Sequence, residues 1–332
     1  MKIHVVGCGL TGITAAIVLK EQGHNVEVFE SRHHLGGNCY DEVQDGVRVH
    51  QYGAHIFHTN DKGVWSFLNR YTRFNDYQHR VRANTKEGLI SIPFNKHSEE
   101  SLGRNLTDDE IRSLIFKDYS ERHWGLAWEK LPKSILSRVS IRRSNYDSRY
   151  FLDKYQGIPE HGYTTMLQGM LEGVKVHLGV GKMEWRKFAC DKVVYTGKPD
   201  DFYNYQYGVL PYRSLRFEHI VTKRDALYSW DHGAVINECN LRPYNRTVDN
   251  SVFHNQSKGQ TVLTRDYPEE HDGCNEPIYP KPFGEGREIF LKYKACMDAE
   301  NDTVFLGRLA TYKYLDMWMA IKQVMIKFNY SI

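Results

Sequence analysis

The 332-residue sequence predicts an α/β protein in which a parallel, nucleotide-type sheet carries a small helical insert and a separate antiparallel-sheet domain. Three observations predict it. A strand, glycine turn, helix and second strand open the chain; helix and strand patterns return over 160–203; and 201–293 alternates polar and apolar residues like a sheet with one wet face.

The opening unit is explicit. Lys2 to Val6 is a short, mostly apolar strand, and Gly7-Cys8-Gly9-Leu10-Thr11-Gly12 follows it at once as G-x-G-x-x-G. Ile13, Ala16, Ile17 and Leu19 then mark a helix up to Gly23, and Asn25 to Phe29 forms a strand ending on Glu30. In a Rossmann-like unit of this kind Gly7 permits the tight turn and Gly9 lets backbone amides approach a pyrophosphate. Leu10 and Thr11 open a helix whose positive end holds the phosphates, and Gly12 lets that helix pack on the strand. Glu30 stands where an acid about twenty positions on accepts from a ribose hydroxyl.

Ser31 to Asn38 places the pair Gly36-Gly37 directly after the acidic strand end. This resembles the second fingerprint of FAD-dependent enzymes, whose glycines pass close to the diphosphate, and it narrows the cofactor to FAD with Ser31 and Asn38 beside it. A simple turn into the next hairpin is the alternative reading of the pair.

Bulk composition excludes several classes. Lysine and arginine total 44 against 41 acids, a formal charge of +3, which implies neither nucleic acid nor a membrane surface as partner. No run of about eighteen apolar residues occurs, and the chain starts on a strand rather than a signal peptide. Six cysteines without C-x-x-C pairs suit reduced thiols in a cytoplasm and argue against a disulfide scaffold or zinc site. His50, His55 and His58 cluster, but they lack a carboxylate pattern and a helix to set metal geometry, so no metal is expected.

Further along, Asp45-Gly46 signals a hairpin turn. Leu106 to Tyr119 reads as a helix with Thr107 and Glu110 as a capping box and Ile111, Leu114 and Ile115 inward. Ile135 to Tyr150, with Arg138, Arg142, Arg143 and Arg149, reads as a mobile loop. Glu160 to Gly173 is a helix and Lys192 to Gly197 a buried strand with its turn. Thr303 to Leu306 is the final strand, and Asp316 opens the last helix, where an ordinary N-cap is its bland reading.

The resemblance sharpens on Gly36-Gly37-Asn38-Cys39-Tyr40 and His50-Gln51-Tyr52-Gly53-Ala54-His55-Ile56-Phe57-His58-Thr59. These, with Ile92 to Asn95, Tyr119 to Gly125, Asp153 to Pro159, Tyr212 to Leu215, Pro243 to Arg246, Glu276 to Pro280 and Gly307 to Met317 in the same order, resemble the UDP-galactopyranose mutases. That family interconverts UDP-galactopyranose and UDP-galactofuranose as an isomerase. The resemblance implies that N5 of reduced FAD attacks the anomeric carbon while UDP leaves and returns, with no net redox. It implies His55 and Ile56 against the flavin, Arg308 close to it, Asp316 on the ribityl chain and the Met317 backbone on a flavin carbonyl. Arg143, or adjacent Arg142, and Arg246 are implied for the diphosphate, Tyr155, Tyr279 and Tyr314 for hydroxyl contacts, and Trp124 for the sugar. An external reductant such as NAD(P)H or a flavin reductase is implied as partner, and a homodimer is left open because the helical insert is short for the family.

The domains read as 1–76, 160–203 and 300–332 for FAD; 95–137 for the shortened insert; and 77–94, 138–159 and 204–299 for the substrate domain. No sequence signal selects the facing carboxylates that a glycosidase needs. The alternative reading is an FAD-dependent amine oxidase-like oxidoreductase, since the fingerprint alone does not choose a reaction.

Overall fold

The computed structural model describes residues 1–132, 135, 141–223, 233–256 and 259–331. Arg138 and the rest of 136–140, part of the predicted arginine-rich loop, lie outside the described residues.

The first sheet is parallel, in the order Thr303–Phe305, Lys192–Tyr195, Lys2–Val6, Asn25–Phe29, Lys175–His177. Lys2–Val6 is its central strand and is buried from Ile3 onward, which suits its mostly apolar sequence. The chain leaves it toward Asn25–Phe29 on one side and reaches Lys192–Tyr195 on the other. Its carboxyl end is therefore a switch point, the place where such sheets hold ligands, and Gly7 sits there. Helix Leu10–Glu21 packs on this sheet, and the C-terminal helix Met317–Lys327 packs on Leu10–Glu21.

The second sheet has seven strands in the order Tyr279–Pro280, Tyr212–Lys223, Gln260–Glu270, Arg246–Asp249, Val235–Cys239, Val81–Thr85, Gly88–Ile92. All neighbours are antiparallel except Val235–Cys239 against Val81–Thr85. The long pair runs from Arg213 opposite Glu270 to Lys223 opposite Gln260. Asp45 and Gly46, both at positive φ, form the expected tight turn between Asp41–Gln44 and Val47–His50.

The insert holds more helix than predicted. Lys96–Leu102 is capped by Asn95, whose side chain accepts from the Ser98 amide, and it ends at left-handed Gly103. The Thr107–Glu110 capping box starts Asp108–Arg112, which runs through a π-turn, Ser113–Lys117, into Asp118–Trp124. Phe116, Tyr119, Ser120, His123 and Trp124, spaced i, i+3, i+4, i+7 and i+8, face one cavity.

One segment differs from expectation. Glu285–Ala299, read with the antiparallel sheet, is a fifteen-residue helix. Its Ile289, Phe290, Tyr293 and Met297 pack on Leu210, Tyr212 and Tyr312, a spacing that suits a helical stripe better than strand alternation.

Candidate functional site

Two cavities meet between the sheets. The first, about 280 Å³, begins at the switch point and is walled by Gly7, Gly9, Leu10, Thr11, Glu30, Ser31, Gly36, Gly37 and Asn38. It reaches His55, Arg308, Asp316 and Met317 at its other end. Its floor is backbone. Gly9 pairs with Gly36 as an isolated bridge, and a Cβ on Gly37 would lie 2.9 Å from the Gly9 Cα. Gly12 lies beneath the wall: a Cβ there would stand 1.9 Å from the Gly7 carbonyl oxygen. At the acidic end the Glu30 carboxylate accepts from the Cys8 amide at 2.7 Å and the Arg32 amide at 2.9 Å, which holds it at the cavity edge. Arg32, not singled out from sequence, is locked by Glu276 at 2.6 Å and covers Tyr52 at 4.5 Å.

The second cavity, about 500 Å³, opens between the seven-stranded sheet and the insert helix. Trp124, Arg246, Tyr279 and Tyr314 line it, and Ile56 lies here rather than with the nucleotide turn. The Tyr279 and Tyr314 rings stack at 5.5 Å, and the Arg308 guanidinium sits over both, 5.4 and 5.1 Å from their centroids. Burial pushes the Tyr279 phenol upward, so it remains a donor at neutral pH. Trp124 is held edge-on against Phe283 at 5.7 Å.

Arg246 is a second fixed cation of this cavity, beside Arg308. Its Nε and one terminal nitrogen both donate to the Tyr119 hydroxyl, at 2.9 and 2.6 Å, and Asp266 stands 3.7 Å from the other. Asp266 is buried, its second oxygen has no hydrogen-bond partner, and burial raises its carboxyl against the opposing pull of Arg246. Sequence reasoning missed Tyr119, His123 and Asp266. The available signals were the i, i+4 spacing of Tyr119 and His123 on one helical face, and an acid at an inward position of the Gln260–Glu270 strand.

The cavities share His55, Arg308, Asp316 and Met317. The His55 Nδ1 faces the Gly53 carbonyl at 2.9 Å, so this nitrogen carries the proton and Nε2 is the acceptor. Burial lowers His55 to about 4, which keeps the ring neutral. The His55 amide donates to His50 Nδ1 at 3.2 Å, while His58 pairs with Asp153 at 2.8 Å, so the three histidines do not converge on one point. Asp316 is the N-cap residue of Met317–Lys327, but its side chain makes no capping hydrogen bond.

Two expected residues lie elsewhere. Arg143 does not line the cavity: its guanidinium bonds Asp108 at 2.8 Å, Glu99 at 3.3 Å and the Leu106 carbonyl, because two acids at the insert draw it outward. Neighbouring Arg142 donates to the Arg149 carbonyl at 2.7 Å and is likewise outside. Tyr155 stacks on Trp65 at 5.3 Å, on the strand paired with Phe57–Thr59, and also stays out of the cavity.

The donor set and the bare backbone floor of the first cavity fit a dinucleotide whose far end reaches His55. Among the described residues no helix is long and apolar enough to cross a membrane.

Comparison with known proteins agrees with this architecture. A Rossmann-like NAD(P)-binding family matches residues 5–71, and the UDP-galactopyranose mutase family matches residues 114–314. The dTDP-fucopyranose mutase of Escherichia coli is 33% identical, covering 97% of this chain and 96% of its own. A UDP-galactopyranose mutase of Mycoplasma genitalium is 31% identical, covering 96% and 92%. A crystal structure of reduced UDP-galactopyranose mutase superposes with a TM-score of 0.78 at 15% identity, over 99% of this chain and 95% of that one. A putrescine oxidase structure, TM-score 0.54 at 14% identity over 99% and 98%, shares the fold alone. With a nucleotide cradle, an adjoining arginine-and-aromatic cavity and relatives that match over nearly its whole length, the chain belongs to the UDP-galactopyranose mutase family of flavin-dependent mutases.

Proposed function

We propose that the chain interconverts UDP-galactopyranose and UDP-galactofuranose without net redox change, with reduced FAD in the glycine-floored cavity and the nucleotide sugar in the second. The observation that carries this reading is the common wall of His55, Arg308, Asp316 and Met317, where a cofactor ring and a sugar can meet. Reduced flavin, when bound, supplies a nucleophilic nitrogen for the anomeric carbon.

The chain's own residues do the rest. Arg246, oriented by Tyr119, takes up the charge that develops on the diphosphate as the glycosidic bond breaks. Tyr279 and Tyr314 offer hydroxyls beside it, and the Trp124 face packs on the sugar. Neutral His55 presents Nε2 as an acceptor that can hold a substrate proton while the ring closes through a different hydroxyl. Asp316, with its carboxylate not used as a cap, accepts from cofactor hydroxyls. An external reductant such as NAD(P)H or a flavin reductase is needed only to prime the cofactor.

The test is turnover of UDP-galactofuranose followed by chromatography, run anaerobically with and without dithionite, and in parallel under air with an oxygen electrode and no dithionite. Activity only after reduction, with no oxygen consumed per turnover, is expected. Equal rates in both states would remove the reduced cofactor from the mechanism, and stoichiometric oxygen use would favour an oxidase. The E. coli relative carries a second reading, dTDP-linked fucopyranose as substrate, which the same assay resolves by the ratio of kcat/KM for the two nucleotide sugars.

A further inference from the structure

A third cavity lies behind the catalytic one. It is an open groove of about 630 Å³ between the hairpin Val81–Thr85/Gly88–Ile92, helix Lys96–Leu102 and the segment 146–149. Strand alternation keeps the two apart: His79 faces the substrate cavity, Arg80 and Arg82 face the groove, and Val81 borders both.

The charge in the groove is one-sided. Arg80, Arg82 and Arg149 line it against a single carboxylate, Asp147. That carboxylate is already spent, taking Arg149 Nε at 3.0 Å and a terminal nitrogen at 2.8 Å. Arg82 is half-buried. One terminal nitrogen donates to the Leu89 carbonyl at 2.7 Å, whereas its Nε is buried with no partner. Neither Arg80 nor Arg82 has an acidic partner among the described residues. A guanidinium drawn from water without a counter-charge is costly, and an anion with oxygens in the plane of its fork removes that cost. At the rim the Tyr146 ring lies 4.7 Å from that of His97 at a 57° tilt, with the Lys96 ammonium over it at 5.5 Å and its hydroxyl donating to Glu100 at 2.6 Å.

We propose that this groove is a second ligand site, separate from the mutase centre, for a small phosphate-bearing molecule held by Arg80 and Arg82. Phosphate is the shared chemistry; a free inorganic anion, a sugar phosphate and a nucleotide are its sources. Calorimetric titration of the flavin-loaded enzyme with inorganic pyrophosphate is expected to show two classes of site. Arg246→Ala should weaken one class; Arg80→Gln and Arg82→Met should each weaken the other by about tenfold, the size of a lost charge-assisted contact. Arg80 is exposed, so Arg80→Gln tests the site without risk to the core. Parallel titrations with a hexose 1-phosphate and a nucleoside monophosphate rank the sources, and the preferred probe must show the same sensitivity to Arg80→Gln. A single class of site in the wild type, or two classes unchanged in both groove variants, overturns the proposal.

Discussion

The cofactor cavity and the substrate cavity adjoin, yet they are made differently. The first is built by backbone: Gly7, Gly9, Gly36 and Gly37 contribute space and amides, and all fall within the first thirty-nine residues. The second is built by side chains from Tyr52 through Trp124, Arg246 and Tyr279 to Asp316, brought together only by the two sheets and the insert helix. A backbone site is written as spacing and tolerates no added bulk. A side-chain site is written as identity at scattered positions, so single replacements degrade it in steps.

The largest effect should follow from adding bulk to the first. In Gly12→Val the new Cβ would meet the Gly7 carbonyl oxygen at 1.9 Å, a backbone atom with nothing flexible to yield. A cost of about 3 kcal/mol or more is expected, at the upper end of overpacking effects, with loss of bound flavin. Visible absorbance per mole of purified protein checks it, and a fully flavinated, normally stable variant would break the distinction.

Acid should strike the side-chain half next. Burial lowers His55 to about 4 and His79 to about 3, from an ordinary 6.5. Between those values the unfolded chain binds protons that the folded one refuses, so stability falls as pH drops from 6.5 toward 4. The loss should reach a few kcal/mol by the lower end. Melting temperature against pH measures it, and His79→Gln should flatten the slope; an unchanged slope would show that these rings accept protons in place.

The same division explains what could be read from the chain. Gly7, Gly9 and Gly12 are legible because a tight turn, a close approach and helix packing each demand the missing Cβ at a fixed interval. Trp124, Arg246, Tyr279 and Tyr314 carry no local pattern of their own and are reached only through family resemblance. Tyr119, His123 and Asp266 escape because helical spacing and strand alternation say only that residues share a face, and which face looks into the cavity is set by how the sheet and the insert helix pack, not by a short-range property. Arg143 and Tyr155 sit in segments that resemble the family, but local partners, acids for one and Trp65 for the other, decide where each side chain goes. Glu285–Ala299 follows a long strand-rich stretch that masks its own helical apolar spacing.

Within the substrate cavity the expected losses are graded. Arg246→Ala should weaken UDP binding by about 1.5 to 3 kcal/mol, the range of hydrogen bonds to a charged group. Calorimetry on the flavin-loaded enzyme measures it, and an unchanged affinity would take the arginine out of diphosphate binding. Tyr119→Phe keeps the ring and removes the hydroxyl that two guanidinium nitrogens share. It should cost about 1 kcal/mol in the same titration and nothing further when combined with Arg246→Ala, because the hydroxyl acts through the arginine. Additive losses would give Tyr119 a contact of its own with the ligand.

Arg143→Ala should have the smallest effect, and it separates resemblance from geometry most directly. If the position alone carried the role, losing this guanidinium would cost as much UDP affinity as losing that of Arg246. In the structure it is held outside the cavity by Asp108 and Glu99, partly exposed to solvent, where such pairs contribute between nothing and about 1 kcal/mol to stability. UDP affinity should therefore stay within about 0.5 kcal/mol of wild type, as for a surface substitution away from the site, with at most a slight fall in melting temperature. A loss of the Arg246 size would mean that ligand binding pulls Arg143 from its acids, and that the side-chain half of the site completes itself only around its substrate.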